Sequence, residues 1–522
     1  MKRVISLVII LIMLVPLAAC KKAPDKEADN TPLPTETATE KPAAPTAVPT
    51  EEPTEEPTAE PEPTPVPTPV PETEPMAPAD GVPAVYAGED AYYILYPDGA
   101  LWGWGRNEDG RIGNGTTEDV PFPVHIADGL TPVYVGKTVF CLSADGMLWG
   151  WGRNDGGDLG LGDTTDRTKP EEIMPFVKEI MHFYDGWYAL TNNGDLYKWG
   201  FNAWDETLTS EQKEAAASPA LIFEGVRSFN GQFLIKENGD VLRKFGDDYV
   251  KIASGIKRIW TSVGTAIAEG KDGKLYEFGY FSGEKVKICD SFRSLAFDDA
   301  VAYIIMNDGS LCYYEVGSLD GMRDVPEDQL HKMVYMMDGV KEIYAGSMSD
   351  EDWGYYYRFA LRENGELWAW GLLSNDVLGK SRESEVREPE LVATDVKTVS
   401  CNGYNTYIIK NDGTLWATGA DAIFASLGGE ALHGEENDWV VYGFTEIPLG
   451  AKCAVVFNIL RLEYGEDEIS DWVILHAATF AVDEHGVIRA WGDNEGELLG
   501  ILCNLKKVAQ PWPVVKLMNT EN

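Results

Sequence analysis

The sequence predicts an all-β chain whose folded part is a single β-propeller, and three observations carry that expectation. A turn glycine recurs at Gly99, Gly146, Gly194, Gly239, Gly273, Gly309, Gly365, Gly413 and Gly486, usually preceded by Asp or Asn. Six residues later a second glycine follows in most copies, at Gly105, Gly152, Gly200, Gly279, Gly371, Gly419 and Gly492. Short alternating apolar runs flank each turn, as strands require. Nine such units are counted, and with some of them read as decorated or merged the expected blade number is seven to nine.

The chain begins with Met1 to Ala19, in which Lys2 and Arg3 precede a largely apolar run from Val4 to Val15. This pattern reads as an export signal. It ends in Leu17-Ala18-Ala19-Cys20, which resembles the lipobox of bacterial lipoproteins. The resemblance implies cleavage before Cys20 and a diacylglycerol on its thiol, an anchor to the outer face of a bacterial membrane. The bland alternatives are an uncleaved signal anchor or an ordinary secretory signal. No later apolar run is long enough to span a bilayer.

Residues 20–82 follow as a tether rich in Pro, Thr and Glu, with almost nothing apolar to bury, and are expected to be disordered. Stretched at about 3.1 Å per residue, such a segment reaches on the order of 150 to 190 Å. That reach suits a wall-crossing lipoprotein of a Gram-positive type of envelope. Residues 83–517 carry the repeat throughout and are read as one domain, with 518–522 as a tail.

Each unit has one order: a short strand, a second apolar strand, the glycine turn, an aromatic strand, a variable loop and a closing strand. Asp-Gly and Asn-Gly between apolar runs are a strong hairpin signal, because they tolerate positive φ. Ahead of the second glycine stands a large ring, at Trp104, Trp151, Trp199, Phe245, Phe278, Tyr314, Trp370 and Trp491, with Thr418 the exception. The fourth unit reaches Gly246 one residue late, the mark of a bulge, and the sixth has Glu315 in place of glycine. Alternation in LWGWG puts Trp102 and Trp104 on one sheet face and Leu101 with the glycines on the other. Blades stacked around an axis cover both faces, so rings pack where a neighbour offers glycine.

The stretches GWGRNEDGRIGNG and GWGRNDGGDLGLG, each followed by proline and a closing strand, resemble the repeat of the regulator of chromosome condensation family. The likeness is strongest in units one and two and weakest in units four to six. It implies a β-propeller, usually of seven blades. The nuclear members' chromatin binding and nucleotide exchange do not carry over. The chain has 43 basic and 85 acidic residues, a formal net charge of -42, whereas phosphate binding needs concentrated Lys and Arg. An exported protein has no small nuclear GTPase to act on.

Chemistry-bearing motifs are few. The histidines His125, His182, His331, His433, His476 and His485 form no metal-binding spacing, and no cofactor is expected. The run Asn154 to Asp158 admits a calcium-loop reading, but unit one has no matching carboxylates there, so a structural turn is favoured. Cys141, Cys289, Cys312, Cys401, Cys453 and Cys503 are scattered singly, and buried free thiols are favoured over disulfides.

Length accumulates unevenly. Insertions fall at Phe201 to Ser218, Val316 to Gln329, Ser347 to Tyr356, Ala420 to Trp439 and Asn458 to Trp472. All belong to the loop classes that share one propeller face. The candidate recognition residues on that face are Trp204, Asp350, Glu351, Asp352, Trp353, Tyr355, Tyr356, Trp439, Tyr464 and Trp472. Rings supply rigid contact area and acids supply charge selectivity. The competing reading for any one ring is that it pins its own loop. The expected function is a cell-surface binding module for an extracellular protein or glycan, monomeric and without nucleic acid. The alternatives are a surface glycan hydrolase or lyase using loop carboxylates, and a structural spacer.

Overall fold

A computed structural model describes residues 73–75 and 81–517, apart from 89–90, 184, 202–206, 247, 263–264, 299–300, 317–331, 350–353, 373–377, 380–384, 402–404, 421–439, 465–472 and 494–506. Cys20, the signal and most of the tether lie outside the described residues. Nine four-stranded antiparallel sheets are built each from four strands consecutive in sequence, and they are the blades of one β-propeller. They span 84–128, 130–174, 177–223, 226–253, 256–289, 294–337, 340–393, 396–447 and 453–513.

The repeated turn shows why its spelling recurs. All nine turn glycines have φ between 77° and 91°, whereas among the described residues the non-glycine positions at positive φ are Phe176 and Asp395. The turn is therefore a type I turn closed by a left-handed glycine, with positive φ at one residue rather than two. The Asp or Asn before the glycine has a separate task. Asp98 Oδ1 accepts from the Ala100 N–H at 3.0 Å, and Asp308 and Asp412 accept from Ser310 and Thr414 at 2.9 Å.

The same glycine also joins adjacent blades. The Gly99 carbonyl accepts from Gly129 N–H at 2.8 Å, that of Gly146 from Val177 at 2.9 Å and that of Gly194 from Val226 at 2.7 Å. A Cβ at Gly194 would lie 3.0 Å from the Val226 carbonyl oxygen. A larger residue would thus strain the turn and push off the next blade.

The rings ahead of the second glycine are core. Trp104, Trp151, Trp199, Phe278, Tyr314, Trp370 and Trp491 are all nearly or fully buried, as is Thr418 in the eighth unit. Their glycine partners are not the strand glycines. A Cβ at Gly113 would sit 2.8 Å from Trp151 Nε1, and one at Gly160 3.0 Å from Trp199 Nε1, so loop glycines of one blade receive the ring of the next. Strand glycines instead make room inside their own blade, as at Gly103 beneath the Tyr93 ring.

Blade four corrects the sequence-based register. Its third strand, Val241–Phe245, pairs Phe233 with Arg243, and Phe245 with Asp248 across a two-residue hairpin. Gly246 is the turn residue of that hairpin, at φ 60°, and not a bulge in the strand. Counting from Gly239, Lys244 occupies the ring position and Phe245, 45 % exposed, lies one place beyond it.

The ring of blades closes by packing. One apolar cluster runs through blades eight, nine, one and two, and Phe480 of blade nine meets Tyr92 and Trp104 of blade one at 5.3 and 6.0 Å between centroids. A short strand, Thr73–Pro75, pairs antiparallel with Val515–Leu517, which lies against the outer strand Val120–Asp128 of blade one. The ends of the folded chain are therefore held together at the closure point. Among the described cysteines, Cys141, Cys289, Cys312, Cys401 and Cys453 are free, and all but Cys401 are buried. Cys503 lies outside the described residues.

Candidate interaction face

Strand order sorts the connections by face. The glycine turns and the short links between blades lie on one side, and the connections between strands one and two and between strands three and four lie on the other. The second side carries the long insertions.

In blades one and two the long connection is organised by one buried asparagine. Asn107 and Asn154 are fully buried. Asn107 Nδ2 donates to the Thr116 and Glu118 carbonyls at 3.0 Å, and its Oδ1 accepts from Ile112 N–H at 2.9 Å. Asn154 repeats this with Asp163, Thr165 and Leu159. Trp151 Nε1 donates to the Arg111 carbonyl and Trp199 Nε1 to that of Asp158, both at 2.8 Å. The loop is thus a clamp on the next blade, and the amide of its central asparagine is satisfied within it. Asp158 Oδ1 accepts from Trp187 Nε1 at 3.0 Å; burial raises its pKa above the usual carboxylate range, and the tryptophan hydrogen bond works against that. Asp158 thus ties the loop to blade three.

The insertions that the structure describes take two forms. In blade three, Ser210–Ala216 is a helix with a capping box between Thr209 and Gln212. It rests on blade two: Gly162 N–H donates to the Ala217 carbonyl at 2.9 Å, and a Cβ on Gly157 would meet Ala217 Cβ at 2.7 Å. In blades seven and nine, part of what reads in sequence as loop is strand. Val340–Ser349 pairs with Gly354–Arg362 as far as Ser349 opposite Gly354, and Cys453–Tyr464 with Val473–Asp483 as far as Tyr464 opposite Val473. The first strand of blade nine has 12 residues against 5 in blade one. At about 3.3 Å per residue that excess projects the hairpin roughly 20 Å from the face.

Of the ten candidate recognition residues, Tyr356 is the one whose side chain is described. Its ring lies 4.1 Å from the Arg358 guanidinium, which also covers Tyr303 and pairs with buried Asp298 at 2.7 Å. Tyr356 therefore closes a joint between blades six and seven. The backbones of Tyr355 and Tyr464 lie in the two projecting hairpins. Trp204, Asp350, Glu351, Asp352, Trp353, Trp439 and Trp472 lie outside the described residues.

A polar site that sequence reading missed lies between blades three and four. Asp185 accepts from Lys198 Nζ at 2.9 Å, from Tyr188 Oη at 3.0 Å and from Lys244 Nζ. Burial would raise the Asp185 carboxyl, but Lys244 and Lys198 outweigh it and hold the pKa below the usual range. Tyr188 is pushed upward, by burial first and then by Asp185. A count from Gly239 to Lys244 would have found this site, because a charge stands where every other blade has a ring or threonine.

The profile of the regulator of chromosome condensation (RCC1) repeat matches residues 98–135 and 145–188. The zebrafish (Danio rerio) Protein RCC2 homolog is 25% identical over 369 residues, 64% of this chain and 61% of that protein; the chain thus spans about three fifths of its length. Prp20p of Saccharomyces cerevisiae, solved in a study of its binding to Gsp1p and histones, is 17% identical with a TM-score of 0.41, covering 82% of this chain and 87% of its own. Yeast RCC1 (Prp20) bound to Kap60 is 18% identical with a TM-score of 0.39 over 80% of this chain and 83% of that one. Human WBSCR16 is 14% identical with a TM-score of 0.37 over 80% and 93%.

Proposed function

From a chain that carries regulator of chromosome condensation repeats on a nine-bladed β-propeller, we propose a binding module, anchored through lipidated Cys20 on the outer face of a bacterial membrane, that recognises an extracellular protein or glycan through its loop face. The observation that carries the reading is the asymmetry of the two faces. Nine turns of one geometry occupy one side, while the helix of blade three and the hairpins of blades seven and nine build up the other. Variable loops on a rigid scaffold are where recognition resides. The acidity of the chain favours a basic protein or a hydroxyl-rich glycan over nucleic acid.

The test replaces Trp204, Trp353, Tyr355, Trp439, Tyr464 and Trp472 together by alanine. The expected result is an unchanged unfolding midpoint with loss of binding to a glycan panel and to envelope proteins. Binding equal to wild type would remove the loop face from consideration. In parallel, Cys20→Ser should lose labelling by a fatty-acid analogue, and persistent labelling would refute the anchor.

A further inference from the structure

Charge is unevenly divided among the blades. Between Val226 and Arg293, the span of blades four and five with the link that follows them, 12 Lys and Arg stand against 9 Asp and Glu, a balance of +3 in a chain whose formal net charge is -42. Each of the other seven blades has more acidic than basic residues. Salt screens exposed charges beyond about 8 to 10 Å, and two sheets packed about 10 Å apart cover a wider stretch than that. The basic sector is therefore felt apart from the acidity of the rest.

The surplus can be traced to four side chains. Lys271 Nζ and Lys285 Nζ of blade five cross the joint toward blade four and donate to backbone carbonyls, those of Glu237 at 2.8 Å and of Ser254 at 3.3 Å. Lys236 lies 5.8 Å from the Phe223 ring centroid, and Arg258 lies 5.3 Å from that of Trp260. Among the described residues none of these four has a carboxylate as ion-pair partner. A carbonyl or a ring leaves the charge of the cation uncancelled. The cations around them are paired: Arg227 with Glu237, Lys251 with Asp240, Lys257 with Glu269, and both Lys274 and Lys287 with Asp290. Lys271, Lys285 and Arg258 are exposed, and Lys236 is half-buried.

Placement and residue type narrow the ligand. The four cations lie over turns, links and an outer strand, so they meet charge strung along a surface. Three of the four are lysines, point charges that suit a tetrahedral phosphate, whereas planar carboxylates are matched by the arginine fork. The exposed rings of these two blades, Phe245 and Phe281, stand at the opposite, loop end of the strands, and Tyr276 is covered by Lys285 at 5.4 Å. The sector thus has no open ring on which a nucleic-acid base could stack. We infer that the turn side of blades four and five binds a linear polyol-phosphate polymer, with one phosphodiester in each repeat, lying across the joint that Lys271 and Lys285 span. The inference does not use the long loops, so it and the loop-face reading can fail separately.

The experiment titrates the full-length protein into a fluorescein-labelled decamer of glycerol phosphate and follows anisotropy at two salt concentrations. With four cations engaged, affinity should fall roughly 50-fold between about 50 and 200 mM salt. Lys271→Gln combined with Lys285→Gln should weaken binding about tenfold or more, whereas the pair Lys271→Arg and Lys285→Arg, which keeps both charges, should stay within about threefold. Lys271 and Lys285 are exposed, so both double variants should keep the wild-type unfolding midpoint. Lys397→Gln, at an exposed position in acidic blade eight, should leave binding within about twofold. Decaglutamate, a deoxythymidine decamer and phosphatidylglycerol vesicles should each bind at least about threefold more weakly than the glycerol phosphate decamer. Binding that ignores salt, a double Gln variant equal to wild type, a loss in Lys397→Gln as large as in that variant, or a comparator that binds as tightly as the polymer would each overturn the assignment.

Discussion

Blade two and blade four solve the same packing problem in opposite ways. Blade two holds blade three with a long loop: Asn154 fixes the loop, Gly160 leaves room, and Trp199 inserts and donates to the Asp158 carbonyl. Blade four has no such loop. It holds blade five through Arg243, whose Nη1 donates to the Tyr280 carbonyl at 2.9 Å and whose guanidinium lies 4.1 Å from the Phe281 ring. On its other side it meets blade three through Lys244 and Asp185, leaving an open wedge. The difference teaches that the residues by which the repeat is recognised are clamps, and that accessible chemistry appears where a clamp is missing.

The largest expected effect comes from breaking the clamp. Trp151→Ala removes a fully buried ring and its hydrogen bond to Arg111. It should destabilise the propeller by ~3–5 kcal/mol, read as a lower denaturant midpoint. A loss below 1 kcal/mol would show that the loop clamp does not hold blades one and two together.

A smaller and pH-dependent effect should come from blade four. Lys244→Met leaves Asp185 with one cation and should cost about 1–3 kcal/mol near neutrality. Because the folded-state pKa of Asp185 is lowered, its stabilisation is present above its unfolded value near 3.8 and is lost as pH falls through the folded value. The difference between variant and wild type should therefore shrink below about pH 4 in chemical denaturation series. A difference that stays constant with pH would detach Lys244 from the Asp185 charge.

The smallest effect tests the turn face. Phe176 links blade two to blade three at φ 64° and is 57% exposed, at the place where blades one and three use Gly129 and Gly225. Phe176→Gly should relieve left-handed strain and stabilise the protein by up to about 1 kcal/mol. A destabilised variant would mean that the exposed ring contributes more than its backbone costs.

Much of the architecture was legible because it is repeated. The turn glycines, the buried rings at Trp104, Trp151 and Trp199 and the nine units all follow from period and spelling. The loops were legible only by length. Ser347 to Tyr356 and Asn458 to Trp472 read as insertions, yet Ser347–Ser349, Gly354–Tyr356 and Asn458–Tyr464 extend existing strands, since a hairpin lengthened equally on both sides keeps its register. Tyr356 reads as a recognition ring by its place in an insertion, and the structure adds that its ring packs on Arg358, two residues away on the same sheet face. Phe245 read as the inter-blade ring because an aromatic followed by glycine was sought, while the strand register gives that place to Lys244.

The sequence alone determined the fold, since turn geometry and blade packing depend on local residues that recur at a fixed interval. It determined the acidic balance as well. Only the tertiary structure decided which residues meet across blades. Asp185, Lys198 and Lys244 come from two blades and from positions up to 59 apart, and their convergence depends on how sheets stack around the axis. Blade stacking brings together atoms that no spacing along the chain relates.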